Sequence, residues 1–227
     1  MKVKLISFSQ PTKEVYDQGL ENVQDLIAFC ARVSNPGNQS NKETASRLIK
    51  YLAKHKHWSP FELVSACVEI ETTRDIARQI LRHRSFSFQE FSQRYADPVK
   101  ELEFETRDAR LQDERNRQNS VEIDRTSPAQ RELDRLWQEK QQHCIRTARE
   151  AYEWAVSNGI AKEQARAVLP EGNTVSRLYM NGTIRSWLHY IDLRSANGTQ
   201  KEHMEIAFAC AAAIAAIFPS ITEYVQQ

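Results

Sequence analysis

The sequence predicts an α+β fold: one domain over residues 1–227, with a small central sheet flanked by helices, including a long central helix. Three observations carry this. Most apolar residues recur at helical spacing, segments of strand character fall only early, centrally and late, and strands and helices do not alternate as βαβ units would.

Residues 2–9 alternate through Val3, Leu5 and Ser7 and read as an opening strand. ENVQDLIAFCARVS (21–34) sets Val23, Leu26, Ile27 and Cys30 on one helical face. NKETASRLIKYLAKHK (41–56) reads as a second helix, capped near Ser40 or Asn41 and ended by the HWSP turn before Pro60. ELVSACVEIETT (62–73) has strand composition. TRDIARQILRHR (73–84) reads as a helix with an apolar stripe of Ile76, Ile80 and Leu81, and with Arg74, Arg78 and Arg82 on another face.

Residues 97–126 mix charges of both signs with little periodicity and read as an excursion over the surface, a lid or a solvated insert. One long helix follows over 127–159, capped by Ser127, with Pro128 at its first position and Gly159 closing it. AKEQARAVL (161–169) is a short helix that stops at Pro170, and VSRLYM (175–180) is a strand. A helix restarts at Thr183 with Ile184, Trp187, Leu188 and Ile191 on one face, and the alanine-rich 204–218 segment is a buried helix. No internal repeat is evident.

Composition bounds the function. With 31 Lys+Arg against 30 Asp+Glu the net charge is +1, which argues against a general polyanion binder and makes any basic site local. The four cysteines, Cys30, Cys67, Cys144 and Cys210, form no close pair, so neither a zinc ribbon nor a disulfide framework is expected, and a reducing cytoplasm suits them. The apolar run 206–218 is too short to span a bilayer, and the N-terminus lacks a signal-like apolar region. The reading is a cytoplasmic protein without nucleic-acid or membrane partners.

The local basic site is QILRHRSFSFQEFSQRY (79–95). Gln79 and Arg82 fall one helical turn apart, and Ser92, the Gln93 backbone and Arg94 add hydroxyl, amide and guanidinium donors, the chemistry of a phosphate cradle. Glu90 either steers the N–H groups of a ligand or pairs with an arginine. Phosphate-binding GxxxxGK[ST] loops and dinucleotide GxGxxG fingerprints are absent. His55 and His57 flank Lys56 without a matching ligand at metal spacing, so no metal is expected and an exposed helix end is the reading. Arg166 precedes Pro170, and Arg185 and His189 lie one turn apart on a helix that ends near Arg194. No Ser-His-Asp or Cys-His arrangement is readable. A basic helix could equally serve a non-catalytic nucleotide- or RNA-binding module, but the near-zero net charge and the lack of a basic-aromatic stripe elsewhere count against it.

RHRSFSFQEFSQR (82–94) carries Arg-His-Arg, then seven residues, then Ser, one residue and Arg, and so resembles the signature of the flavin-dependent thymidylate synthases. CARVSN, HWSPFE, ARAVLP and NGTIRSWLHYIDLR resemble further blocks of that family in the same order, so the resemblance covers nearly the whole chain. It implies an α+β homotetramer with active sites at subunit interfaces. It also implies a methyltransferase that makes dTMP from dUMP, using 5,10-methylenetetrahydrofolate as carbon donor and FAD reduced by NADPH. Carried onto this sequence, Gln79, Arg82, Ser92, Gln93, Arg94, Arg166 and Arg194 would hold dUMP, with Arg194 catalytic. Ser59, His83, Arg84, Ser85, Glu90, Thr183, Arg185 and His189 would hold FAD, and Tyr51 and His57 match positions near the folate or flavin face. Gln93 stands where the family often has glycine, and Thr183 where it often has asparagine.

Overall fold

Two strands organise the molecule, whose computed structural model describes residues 1–226. β1 (Lys2–Phe8) is followed by α1 (Lys13–Tyr16), α2 (Val23–Ala31) and α3 (Ala45–Lys54), and then by the strand–helix pair β2 (Ser65–Thr73) and α4 (Arg74–Ile80). β3 (Ser87–Glu90), α5 (Pro98–Glu101), β4 (Arg110–Gln112) and β5 (Ser120–Glu122) lead to the long α6 (Pro128–Ser157) and short α7 (Lys162–Ala165). A second strand–helix pair, β6 (Val175–Thr183) and α8 (Ile184–Ser195), precedes α9 (Lys201–Ala215).

The main sheet is antiparallel in the order β1-β2-β6-β3, with Ser65 opposite Thr183 and Thr73 opposite Val175 at the ends of the central pair. The chain thus makes one move twice: a strand ends at a threonine, Thr73 or Thr183, and a helix starts at the next residue. No sequence similarity announced this, because the shared feature is geometry. Thr183 caps its helix by accepting from the Ser186 N–H.

Along β2, Ala66, Val68 and Ile70 are buried while Cys67, Glu69 and Glu71 take the more exposed face, the period of two that a half-buried strand requires. The buried face meets Leu178 and Met180 of β6, Ile76 and Ile80 of α4, Trp187, Leu188 and Ile191 of α8, and Ile206, Cys210 and Ile214 of α9. Each such apolar side chain contributes about 1.5–3 kcal/mol through burial. Trp187 also donates its indole N–H to the Ala66 carbonyl at 3.0 Å, so its one polar atom is satisfied inside the core. α6 buries a single stripe, Gln141, Ile145, Ala148, Tyr152 and Ala155, of which Tyr152 and Ala155 meet a smaller core with Ala165 and Leu169.

Several boundaries differ from expectation. α3 starts after Thr44, because buried Arg32 binds the Asn41 carbonyl and the Thr44 hydroxyl and holds that stretch as a turn. The β2 segment loses its first residues to a 3₁₀ turn that ends at Glu62, and the 161–169 helix becomes α7 plus a 3₁₀ turn over Arg166–Val168. The 97–126 excursion holds α5 and the β4-β5 ribbon and buries Ala109 and Ile123. It is fastened down: Gln141 accepts from the Arg107 N–H at 2.9 Å and donates to its carbonyl at 2.8 Å. Among the described residues no helix is long and apolar enough to cross a membrane.

Candidate active site

The basic motif is a turn rather than the end of a helix. α4 stops at Ile80, so Arg82, expected to share a helical face with Gln79, lies beyond it, and Arg82, Arg84 and Ser85 are exposed. The cause is Phe86. Its ring is buried against Trp187 and Tyr190, with centroids 4.9 and 5.9 Å away, and it lies over Gly182 of β6. Anchoring Phe86 there forces residues 81–85 into a turn, after which β3 pairs with β6, a strand that the motif's polar composition concealed.

Three groups of side chains result. In the first, the Arg194 Nε–H donates to His83 Nε2 at 2.9 Å, although a hundred residues separate the two in sequence. His83 is half-buried and stands edge-on to Tyr190 at 4.9 Å. Burial and the adjacent Arg194 charge push its pKa down to about 4, so it is a neutral acceptor near neutral pH. Gln79 joins this group through His203, whose Nδ1 lies 3.2 Å from Gln79 Oε1 and whose Nε2 lies 3.1 Å from the Tyr190 hydroxyl.

The second group surrounds the start of α8. Thr183 donates its hydroxyl to Glu62 at 2.8 Å, and Arg185 pairs with the other oxygen of Glu62. Burial opposes ionisation of Glu62, but the Arg185 and Thr183 hydrogen bonds hold its pKa below the usual range. Ser186 donates to the Ser85 carbonyl at 3.1 Å, which ties the basic turn to this group. His189 is exposed and meets Trp58 edge-on at 4.8 Å; burial and Arg185 lower its pKa. Trp58 lies between Ser59 and His57 in sequence, and the ring of His57 stands 6.3 Å from that of Tyr51. The residues expected at flavin and folate therefore adjoin one another.

The third group sits on α7. Arg94 pairs with Glu163 at 3.1 Å, and Lys162 binds the Tyr95 carbonyl, so the Ser92–Arg94 segment lies beside the turn that begins at Arg166. Gln93 is buried at 4% exposure, and its Nε2 has no hydrogen-bond partner among the described residues. Glu90 is committed within the protein, accepting from Ser176 at 2.8 Å and lying 3.6 Å from Arg74, the pairing alternative of the two open for it.

The structure therefore brings Gln79 and Arg194 together but groups Ser92, Gln93, Arg94 and Arg166 separately. No hydrogen bond or ion pair joins the two sets among the described residues. Sequence reasoning missed Tyr190, Gln200, Glu202, His203, Trp58 and Glu62 as site neighbours. One signal was available: His203 begins the stripe completed by Ile206, Ala207, Cys210 and Ile214, and a titratable residue in an otherwise apolar stripe needs a buried partner. Among the described residues no group of three or more His, Cys, Asp or Glu could hold a metal ion.

Fold and site together define an α+β protein with a cationic, neutral-histidine site suited to an anionic ligand. The family model described as thymidylate synthase complementing protein matches residues 17–220. A probable flavin-dependent thymidylate synthase of Paramecium bursaria Chlorella virus 1 is 47% identical over 98% of both chains. A flavin-dependent thymidylate synthase of Synechocystis sp. is 44% identical over 97% of both. The chain belongs to this family, the flavin-dependent thymidylate synthases. The fold is shared with the UMP/dUMP methylase PolB of Streptomyces cacaoi, solved with 5-Br dUMP, at a TM-score of 0.75 and 24% identity over 98% of this chain and 93% of that one.

Proposed function

We propose that the chain carries out the reaction its family name describes, the reductive methylation of dUMP to dTMP. One observation carries this beyond family membership: Arg194 and the basic motif, remote in sequence, meet at His83 beside Gln79. The relatives named as flavin-dependent enzymes and the methylase solved with a bromo-dUMP support it from outside.

The residues fit anionic ligands. Among the described residues the guanidinium groups of Arg82, Arg84 and Arg166 have no protein partner, and Gln93 holds a buried donor without one. A nucleotide phosphate would satisfy such donors through charge-assisted hydrogen bonds. Ser59, His83, Arg84, Ser85, Thr183, Arg185 and His189 would hold FAD, with Tyr51 and His57 toward the folate. When bound, FAD reduced by NADPH would supply the hydride and 5,10-methylenetetrahydrofolate the one-carbon unit.

Arg194 has the central role. Uracil C5 is a weak nucleophile, and a cation at O2/N3 stabilises the enolate-like ring that makes it reactive. Engaging Nε with neutral His83 leaves both terminal nitrogens of Arg194 for the pyrimidine. Were His83 protonated it would repel Arg194, so its depressed pKa keeps the pair intact at neutral pH. No protein nucleophile is invoked: burial raises the thiol pKa of Cys30, Cys67 and Cys210, which disfavours thiolates.

The separation of the dUMP residues into two groups within one chain supports sites shared between copies, as in a homotetramer. Four unpaired cysteines accord with a reducing compartment, the cytoplasm, and the whole chain is read as one catalytic domain. The test is a visible spectrum of the purified protein with an assay for dTMP. A yellow protein that forms dTMP only with dUMP, methylenetetrahydrofolate and a reductant supports the proposal; a colourless protein with no dUMP-dependent NADPH oxidation refutes it.

A further inference from the structure

A chain of polar side chains runs from buried Tyr190 of α8, through half-buried Gln79 and Gln200, to the surface excursion, and its direction can be deduced. Glu202 accepts from Gln200 Nε2 at 2.9 Å with one carboxylate oxygen and from Arg110 at 2.6 Å with the other. A carboxylate so paired can only accept, so Gln200 must present its N–H groups to Glu202 and its carbonyl oxygen elsewhere. That oxygen lies 2.8 Å from Gln79 Nε2, which must therefore donate. Gln79 Oε1 is then left facing His203, whose Nδ1 has to carry a proton to donate across 3.2 Å. A neutral imidazole with Nδ1–H has a bare Nε2, which accepts from the Tyr190 hydroxyl at 3.1 Å.

Every bond in the series thus points one way, from Tyr190 through His203, Gln79 and Gln200 to Glu202. Both ends are secured, Tyr190 and His203 by complete burial in the core and Glu202 by Arg110 of the excursion. Gln79 is left with one amide N–H and one carbonyl lone pair uncommitted, in fixed directions. Reversing the Gln79 amide would set its carbonyl against the Gln200 oxygen and its N–H groups against the His203 Nδ1–H, and would offer a nucleotide an acceptor where it needs a donor, so Gln200 and His203 hold it from either side.

We propose that His203 is a positioning residue for substrate binding: backed by Tyr190, it holds the Gln79 amide so that its free N–H faces the nucleotide, and Arg110 fixes the sense of the chain through Glu202. This rests on the reading of Gln79 as a dUMP contact. It also gives the 97–126 excursion a part in the site, as the anchor of a hydrogen-bond chain.

The test compares His203→Leu, which fills the space without a donor, with His203→Asn, whose Nδ2 stands where the imidazole Nδ1 does. Equilibrium dUMP binding, KM for dUMP, kcat at saturation and flavin content are measured for both and for the unaltered protein. His203→Leu should weaken dUMP binding and raise its KM about tenfold, the effect of one misdirected hydrogen bond, while kcat and flavin content change little. His203→Asn should recover most of that loss. Nitrogen-15 NMR of the unaltered protein should report the Nδ1–H tautomer at His203. Unchanged dUMP binding in His203→Leu, no recovery in His203→Asn, or an Nε2–H tautomer overturns the proposal. If the unaltered protein binds no dUMP at all, the reading of Gln79 as a dUMP contact fails first and the proposal falls with it.

Discussion

Arg194 donates its Nε–H to the bare Nε2 of His83 at 2.9 Å, so a residue expected at the pyrimidine and one expected at the flavin are joined by one hydrogen bond. Their roles remain separable. Arg194→Ala should lower turnover by about a hundredfold or more, since it would remove the charge proposed to face the developing enolate, while flavin content by absorbance is unchanged. Arg94→Ala should chiefly weaken dUMP binding, by about 1.5–3 kcal/mol or one to two powers of ten. Equal loss of flavin from both variants would contradict this division.

Acid should weaken the fold through the same histidine. His83 titrates at about 4 when folded against 6.5 when unperturbed, because burial and Arg194 disfavour its charged form. Below pH 6.5 the unfolded chain takes up a proton that the folded chain refuses, so stability present above 6.5 is lost progressively down to about 4. His203, pushed down to about 3, acts with the same sign. His83→Gln, which keeps an acceptor for Arg194, should flatten the loss in that window. Denaturant melts across the range check this, and parallel curves for the two proteins would rule it out.

Gly182 is expected to tolerate no side chain. A Cβ there would stand 2.4 Å from Phe86 Cδ1 and 2.6 Å from Cε1, and Trp187 and Tyr190 bound the ring that would have to move. Gly182→Ala should cost about 1–3 kcal/mol of stability and reduce dUMP turnover, because Phe86 anchors the turn carrying His83. Adding Phe86→Leu should restore part of the stability by relieving the clash. Calorimetric Tm values for the single and double variants measure it.

Gln141→Leu should loosen the excursion. It removes the acceptor of the Arg107 N–H and one of the two donors to its carbonyl, Gln138 being the other at 2.9 Å, from a side chain that is 5% exposed, at a cost of about 1–3 kcal/mol. Limited proteolysis should then cut faster between residues 113 and 119 than in the unaltered chain. An unchanged cleavage rate would mean that the ion pairs of Arg107 with Asp75 and of Arg110 with Glu202 suffice to hold it.

The long helix, the opening strand and the central strands were legible because their apolar periods are long and regular. The motif turn was not, since Arg82 and Gln79 satisfy helical spacing and only the burial of Phe86 under Gly182 stops the helix. Candidate site residues within the motif could be proposed from its chemistry. Gln200 and Glu202 could not, because they reach Gln79 across more than a hundred residues of chain and nothing local marks them. Pairing of that range is decided by how α4 and α9 pack, which spacing in a single sequence does not encode.

The main sheet ends in two poor templates. At one edge β1 carries exposed Lys2 and Lys4, and its register breaks between Leu5 and Ser7; at the other, β3 is only four residues long. Charged, irregular or short edges discourage another chain from extending the sheet. Molecules of this protein crowded together are thereby protected from runaway strand-to-strand aggregation, and orderly self-association is left to surfaces built from helices and loops.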